Sequence, residues 1–160
     1  MSTEPPESGA RRAALQVFVG EWDEQVLLPD IPPGRVVSEW ALDGTYLIQR
    51  ADIPQPEFPD SISIIAYDAE TDAYTMHYFD SRGIVRIYEM GLRDGRWTLL
   101  RDGRWTLLRD KPDFTPLEFA QRFEGIFSAD GDTIDATWNT SHDGGETWEL
   151  DFGLTFTRVK

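Results

Sequence analysis

The chain has no cysteine and only two histidines among its 160 residues. The first absence removes thiol catalysis, disulfide scaffolds and zinc clusters of the Cys type, and it suits a reducing cytoplasm, where we expect the protein to reside. The second leaves little for metal chemistry, because His77 and His142 lie far apart and neither belongs to a His-Glu-x-x-His or comparable ligand spacing. No metal and no cofactor are expected. Basic residues are scarce too: 15 Lys and Arg face 29 Asp and Glu, a formal net charge of −14 that repels a phosphate backbone, so nucleic acid is not an expected partner. No run approaches the roughly 18 apolar residues of a membrane span. Met1–Ser8 carries acids and prolines where a signal peptide needs a basic and then an apolar region, so no membrane association is expected.

What is present fits one domain. At this length a fold buries roughly 68 to 70% of the surface its unfolded chain exposes, enough to need no staple. The polar, proline-containing stretch 1–8 reads as a disordered tail and 9–160 as a single domain. Ser8 is predicted to cap a short helix in which Ala14, Leu15 and Phe18 share a face, and Gly20 stops it. From Glu21 the hydrophobic period becomes two. Strands are expected near Glu21–Leu28, Val36–Leu42, Thr45–Ala51, Ser61–Tyr67, Tyr74–Phe79, Ile84–Leu92, Arg96–Leu108 with a break, Phe119–Ser128, Thr133–Asn139 and Thr147–Val159. Asp43-Gly44, Ser81-Arg82-Gly83, Asp94-Gly95, Asp102-Gly103 and Asp130-Gly131 are hairpin turn signals, so neighbouring strands run antiparallel. The absence of helix-length segments between strands excludes a parallel α/β fold. An all-β, antiparallel up-and-down barrel of about ten strands with one short N-terminal helix follows, because closure removes exposed edges.

Arg93-Asp-Gly-Arg-Trp-Thr-Leu-Leu100 is followed at once by the same eight residues, Arg101 to Leu108. Identity this complete reads as a recent or engineered duplication, with an ordinary long hairpin as the alternative. Eight is even, so either copy presents the same side-chain parity. The copies can pair with each other around Arg101-Asp102-Gly103, or one can hold a barrel position while the other forms an excursion.

Residues able to carry chemistry are few. In Tyr74–Gly83, period two puts Thr75, His77 and Phe79 on one face and Tyr74, Met76 and Tyr78 on the other. His77 with Arg86 and Tyr88 of the next strand can form a polar cluster in an apolar cavity, the pattern of a small-molecule site; the plainer reading is a structural histidine. Arg50, Gln121 and Arg122 are other polar residues in apolar strands. Gln121 shares a face with Phe119, Phe123 and Phe127 and is expected to point inward, Arg122 outward. In the last strand Trp148, Leu150, Phe152, Leu154 and Phe156 alternate with polar residues as a core face. No Gly-x-Ser-x-Gly elbow occurs, and Asp130, Asp132 and Asp135 read as turn residues.

Ser141-His-Asp-Gly-Gly-Glu-Thr-Trp148 has the spelling Ser-x-Asp-x-Gly-x-Thr-Trp and resembles the Asp-box hairpin turns of sialidase-like propellers, which implies a structural turn built on Asp143. Phe18-Val-Gly-Glu-Trp22, Glu39–Leu47, His77–Gly83 and Trp138 to Trp148 resemble an uncharacterised bacterial family of calycin-like barrels, a domain-of-unknown-function family similar in outline to lipocalins, fatty-acid-binding proteins and nitrobindin. The resemblance implies a roughly ten-stranded antiparallel barrel but no activity. Of the Gly-x-Trp-x-Gly-x-Gly opening of nitrobindin-like proteins only Gly20-Glu-Trp22 is kept, Glu24 and Val26 stand where the glycines would, and no His follows His142, so haem ligation is not implied.

The expected function is binding of a small, largely apolar ligand inside the barrel through His77, Arg86, Tyr88, Gln121 and Arg50. The alternatives are an enzyme using His77 as acid or base, and a barrel filled by its own side chains that serves as an interaction module. Large apolar residues on both faces of Thr45–Ala51, Tyr74–Phe79 and Ile84–Met90 predict a homodimer.

Overall fold

A computed structural model describes residues 6–93, 103–113 and 117–160. The alternating segments form ten strands: β1 (Gly20–Val26), β2 (Gly34–Ala41), β3 (Tyr46–Asp52), β4 (Ser61–Asp68), β5 (Ala73–Asp80), β6 (Val85–Arg93), β7 (Arg104–Arg109), β8 (Ala120–Phe127), β9 (Thr133–Ser141) and β10 (Glu149–Arg158). Each pairs antiparallel with the next, and β10 returns to β1 to close the barrel. The hairpin signals act as expected at Gly44, Gly83 and Gly131, which all have positive φ. Among the described residues no helix is long and apolar enough to cross a membrane.

The helix differs from expectation in its start and its form. It begins at Pro6, so Ser8 lies inside it, and α1 (Pro6–Ala13) passes into a 3₁₀ segment, Ala14–Phe18. A proline opens a helix readily because its missing N–H would have no intrahelical acceptor there. The expected apolar face survives: Leu15 and Phe18 are fully buried and Ala14 packs against the core. This segment plugs the barrel end where β1 begins. Trp22 Nε1 donates to Phe18 O at 2.8 Å, Trp40 Nε1 to Gln16 Oε1 at 2.7 Å, and the Phe18 ring meets Trp105 and Phe127 edge-on. Arg158 of β10 fastens the plug, donating to Val19 O and Val17 O at 2.7 Å each and lying 4.2 Å over the Trp22 ring. Gly20 carries φ 124° between plug and strand, and a Cβ there would sit 3.2 Å from Arg158 Nη1.

The repeat resolves into one strand position. Arg104–Leu108 of the second copy lies in β7, with β6 on one side and β8 on the other. Both flanks of β7 are taken, by β6 and β8. Of the first copy Arg93 ends β6 opposite Arg104, and 94–100, with the Asp94-Gly95 turn signal, lie outside the described residues. Of the strand expected over Arg96–Leu108, the described part is β7. At the end of β7 Arg109 is buried and forms an ion pair with Asp113 at 2.9 Å. Asp113 also accepts from Ile87 N at 2.8 Å, standing in for a strand partner where β7 has ended.

A bulge between Leu150 and Phe152 alters the last strand. The extra residue shifts the alternation, so Leu150 is exposed while Phe152, Leu154 and Phe156 face inward. Trp148 lies outside as well, with the Arg122 guanidinium 4.4 Å over its ring.

Candidate functional site

The barrel interior is not filled. Toward the end opposite the plug lies a cavity of about 430 Å³, within the range of small-molecule sites. The plug's Phe18 and the β1 residue Trp22 are among its lining residues, and Trp105, Phe123, Trp138 and Phe156 supply aromatic wall. The loop 53–60 borders it, with Phe58 edge-on to Phe152. That loop is pinned to the β5–β6 turn through Ser81 N to Asp60 O at 2.9 Å and Asp60 N to Ser81 Oγ at 3.1 Å. Gly34 lets it approach, since a Cβ there would lie 2.4 Å from Asp52 O.

Of the expected site residues, Arg86, Tyr88 and Gln121 line the cavity. Their parity follows from the pleat: Arg86, Tyr88 and Met90 face inward on β6, and Gln121 shares the inner face of β8 with Phe123. Tyr88 Oη donates to Gln121 Oε1 at 3.0 Å, and its ring packs against Trp138. Burial raises the Tyr88 pKa, with Arg86 acting in the opposite direction, so the phenol stays neutral and able to donate.

His77 and Arg50 are corrections. His77 pairs with Ile64 and Ile87 on the outer face of β5, so neither the polar cluster with Arg86 and Tyr88 nor an acid-base role in the cavity has geometric support. The inward neighbour of Arg86 is Tyr78, one residue on. Tyr78 Oη donates to Asp80 Oδ2 at 2.9 Å, and burial followed by that bond pushes the phenol pKa up. Arg50 lies on the outer face of β3 in an ion pair with Glu39. His142 is exposed on the β9–β10 turn, beside the Phe119 ring. In that turn Asp143 accepts from Thr147 N at 2.9 Å and Ser141 Oγ at 2.7 Å, and its carboxyl is lowered to about 2, chiefly by the Thr147 bonds. Asp143 is a structural acceptor, as the Asp-box spelling implies.

Several polar groups that the sequence reading passed over also line the cavity. Ser38 is 2% exposed and Trp105 6%, yet Ser38 Oγ, Trp105 Nε1 and Arg86 Nε have no hydrogen-bond partner among the described residues. Glu24 faces inward between Trp22 and Val26, and its carboxyl is raised to about 7, first by burial and then by the charge of Asp52. A charged residue at the inward parity of a strand was the available signal. No group of three or more His, Cys, Asp or Glu suited to a metal occurs among the described residues.

No protein-family model and no curated protein sequence matches the chain. Among solved structures, the crystal structure of Rv2717c from M. tuberculosis is similar, with a TM-score of 0.60 over 92% of this chain and 98% of that one at 14% sequence identity. At that identity the likeness shows the barrel fold alone.

Proposed function

We propose that the protein is a calycin-like carrier or receptor that binds a small, largely apolar ligand in the barrel interior. The observation that carries this is the pair of unpartnered N–H donors, Trp105 Nε1 and Arg86 Nε, buried beside an aromatic-walled cavity. A buried donor without an acceptor costs about 1 to 3 kcal/mol, so a ligand oxygen placed against either group gains what the empty barrel forgoes. Tyr88 and Gln121 supply further polar contacts. The test is native mass spectrometry of the purified protein, followed by displacement of any bound species and titration by tryptophan fluorescence. An oxygen-bearing amphiphile that quenches or shifts Trp105 emission is the expected result. No bound species, and no response to alcohols, acids or amines of about eight carbons, overturns the reading.

The same reading includes a homodimer formed through the outer face of β3–β6. Ile48, Ile64, His77 and Ile87 stand in one cross-strand row, next to Ile62 and Phe79, which are 43% and 39% exposed. Sedimentation should give a species twice the 18.3 kDa chain mass at micromolar concentration, and Phe79→Lys should return it to the monomer. A wild-type monomer at that concentration overturns the dimer.

A further inference from the structure

The cavity has a second polar pole, and its chemistry narrows the ligand class within the function just proposed, on which this inference rests. Glu24 is on β1 and Arg86 on β6. In the ring order β1-β10-β9-β8-β7-β6-β5-β4-β3-β2 these strands stand five places apart in either direction, so the two side chains face the cavity from opposite walls. Neither carries an ion pair among the described residues; Arg86 bonds the Tyr88 side chain and lies 5.8 Å over the Phe119 ring, but its Nε has no partner there. The charge acting on Glu24 is another carboxylate, Asp52. Ser38, 2% exposed with its hydroxyl unpartnered, lines the same space.

Two lone charges of opposite sign on facing walls each carry a desolvation penalty that the other is placed too far round the barrel to offset. A purely anionic amphiphile relieves only Arg86, and it must reach that site against a chain of net charge −14 and past Asp52, Glu57 and Asp151, which border the cavity. Arg82 also borders it but is paired with Asp80 at 2.7 Å. We propose that the ligand is amphoteric, a short aliphatic molecule whose protonated amine pairs with Glu24 while an anionic oxygen at its other end pairs with Arg86. The acidic border then attracts one end of the ligand, and both lone charges acquire partners.

The test is calorimetric titration of the whole protein with aminooctanoate, bearing amine and carboxylate at opposite ends, against octanoate and octylamine at about pH 8. Aminooctanoate should bind at least about tenfold more tightly than either single-ended probe, a difference of about 1.4 kcal/mol. Glu24→Gln should abolish its advantage over octanoate, and Arg86→Gln its advantage over octylamine. Near pH 7 aminooctanoate should also release protons, seen as a dependence of binding heat on buffer, because an ammonium favours ionised Glu24. The titratable groups sharing the cavity are Asp52, Glu57, Asp151, Arg82, Arg86, Tyr78 and Tyr88, so loss of the proton signal in Glu24→Gln assigns it to Glu24. If octanoate binds as tightly as aminooctanoate, the amphoteric ligand is wrong and the interior binding site stands. If none of the three binds and the native protein carries nothing, both fall.

Discussion

The seam between plug and β1 and the cavity wall are built from similar residues and have opposite properties. At the seam Trp22 is 2% exposed, and its indole N–H donates to the Phe18 carbonyl. Trp105, 6% exposed and in edge contact with the same Phe18 ring, lines the cavity instead, and its N–H has no partner among the described residues. The plug's backbone supplies acceptors and apolar surface together, because the 3₁₀ segment lays Phe18, Val17 and Val19 carbonyls against β1 and Arg158. Along the cavity wall Ser38 Oγ, Trp105 Nε1 and Arg86 Nε meet no such acceptors or donors among the described residues. The seam between plug and β1 is satisfied from within, and the cavity wall is satisfied only with something added.

The sharpest way to break that comparison is to remove one aromatic from each region. Phe18→Ala should lose about 3 to 5 kcal/mol in urea unfolding, because the plug cannot collapse around the void. Phe152→Ala, half-buried beside space that already exists, should lose less than half as much. Equal losses would mean that the two regions do not differ in packing.

Glu24 gives the next largest effect. Its raised pKa means that the folded chain keeps a proton that the unfolded chain gives up between about pH 4.5 and 7. Stability from this group is intact below that window and declines as pH rises through it, by up to about 3 kcal/mol. Glu24→Gln should therefore match the wild type near pH 4.5 and exceed it by about 2 to 3 kcal/mol at pH 8, read as several degrees in Tm. Parallel stability profiles across that range would show that Glu24 is not buried as described.

Trp22→Phe should cost about 1 to 2 kcal/mol by stranding the Phe18 carbonyl, whereas Trp105→Phe removes an unsatisfied donor and should change stability little while weakening ligand binding. A stability loss in Trp105→Phe as large as that in Trp22→Phe would mean that the indole has a partner within the protein. The smallest effect belongs to the repeat, which runs from the last residue of β6 to Leu108 of β7. Deleting Arg101–Leu108 yields the same 152-residue sequence as deleting the first copy and leaves Asp94-Gly95 to join β6 to β7 as a two-residue hairpin in unchanged parity. Tm should stay level or rise slightly, and a collapse would show that both copies are integral.

Period two was enough to find all ten strands and their antiparallel order, because each strand is half-buried and most neighbours follow through a short turn. It did not say which face of a strand apolar on both sides is inner. In β5 the pattern points to His77 for the polar cluster, whereas Tyr78 is the residue that faces the cavity, because Ile64 and Ile87 make the outer face as apolar as the inner. Arg50 failed likewise, on a strand whose inner face carries Leu47 and Gln49. Gln121 succeeded because Phe119 and Phe123 flank it at the same parity. Glu24 was legible by that same rule, between Trp22 and Val26. The Arg109–Asp113 pair was not, since it depends on where β7 stops relative to β6.

Closure of the ring has a kinetic meaning. Nine of the strand pairings join consecutive strands, while the tenth joins the two ends of the sheet, Trp22 to Arg158. Hairpins between sequence neighbours form quickly, on the order of microseconds, but the seam must wait until nearly the whole meander has ordered and then close a loop of almost the full chain. Arg158 sits at that seam and holds β10, β1 and the plug in one step. Zippering along the sheet therefore precedes a late, rate-limiting latch, and opening of the barrel begins where the latch was made.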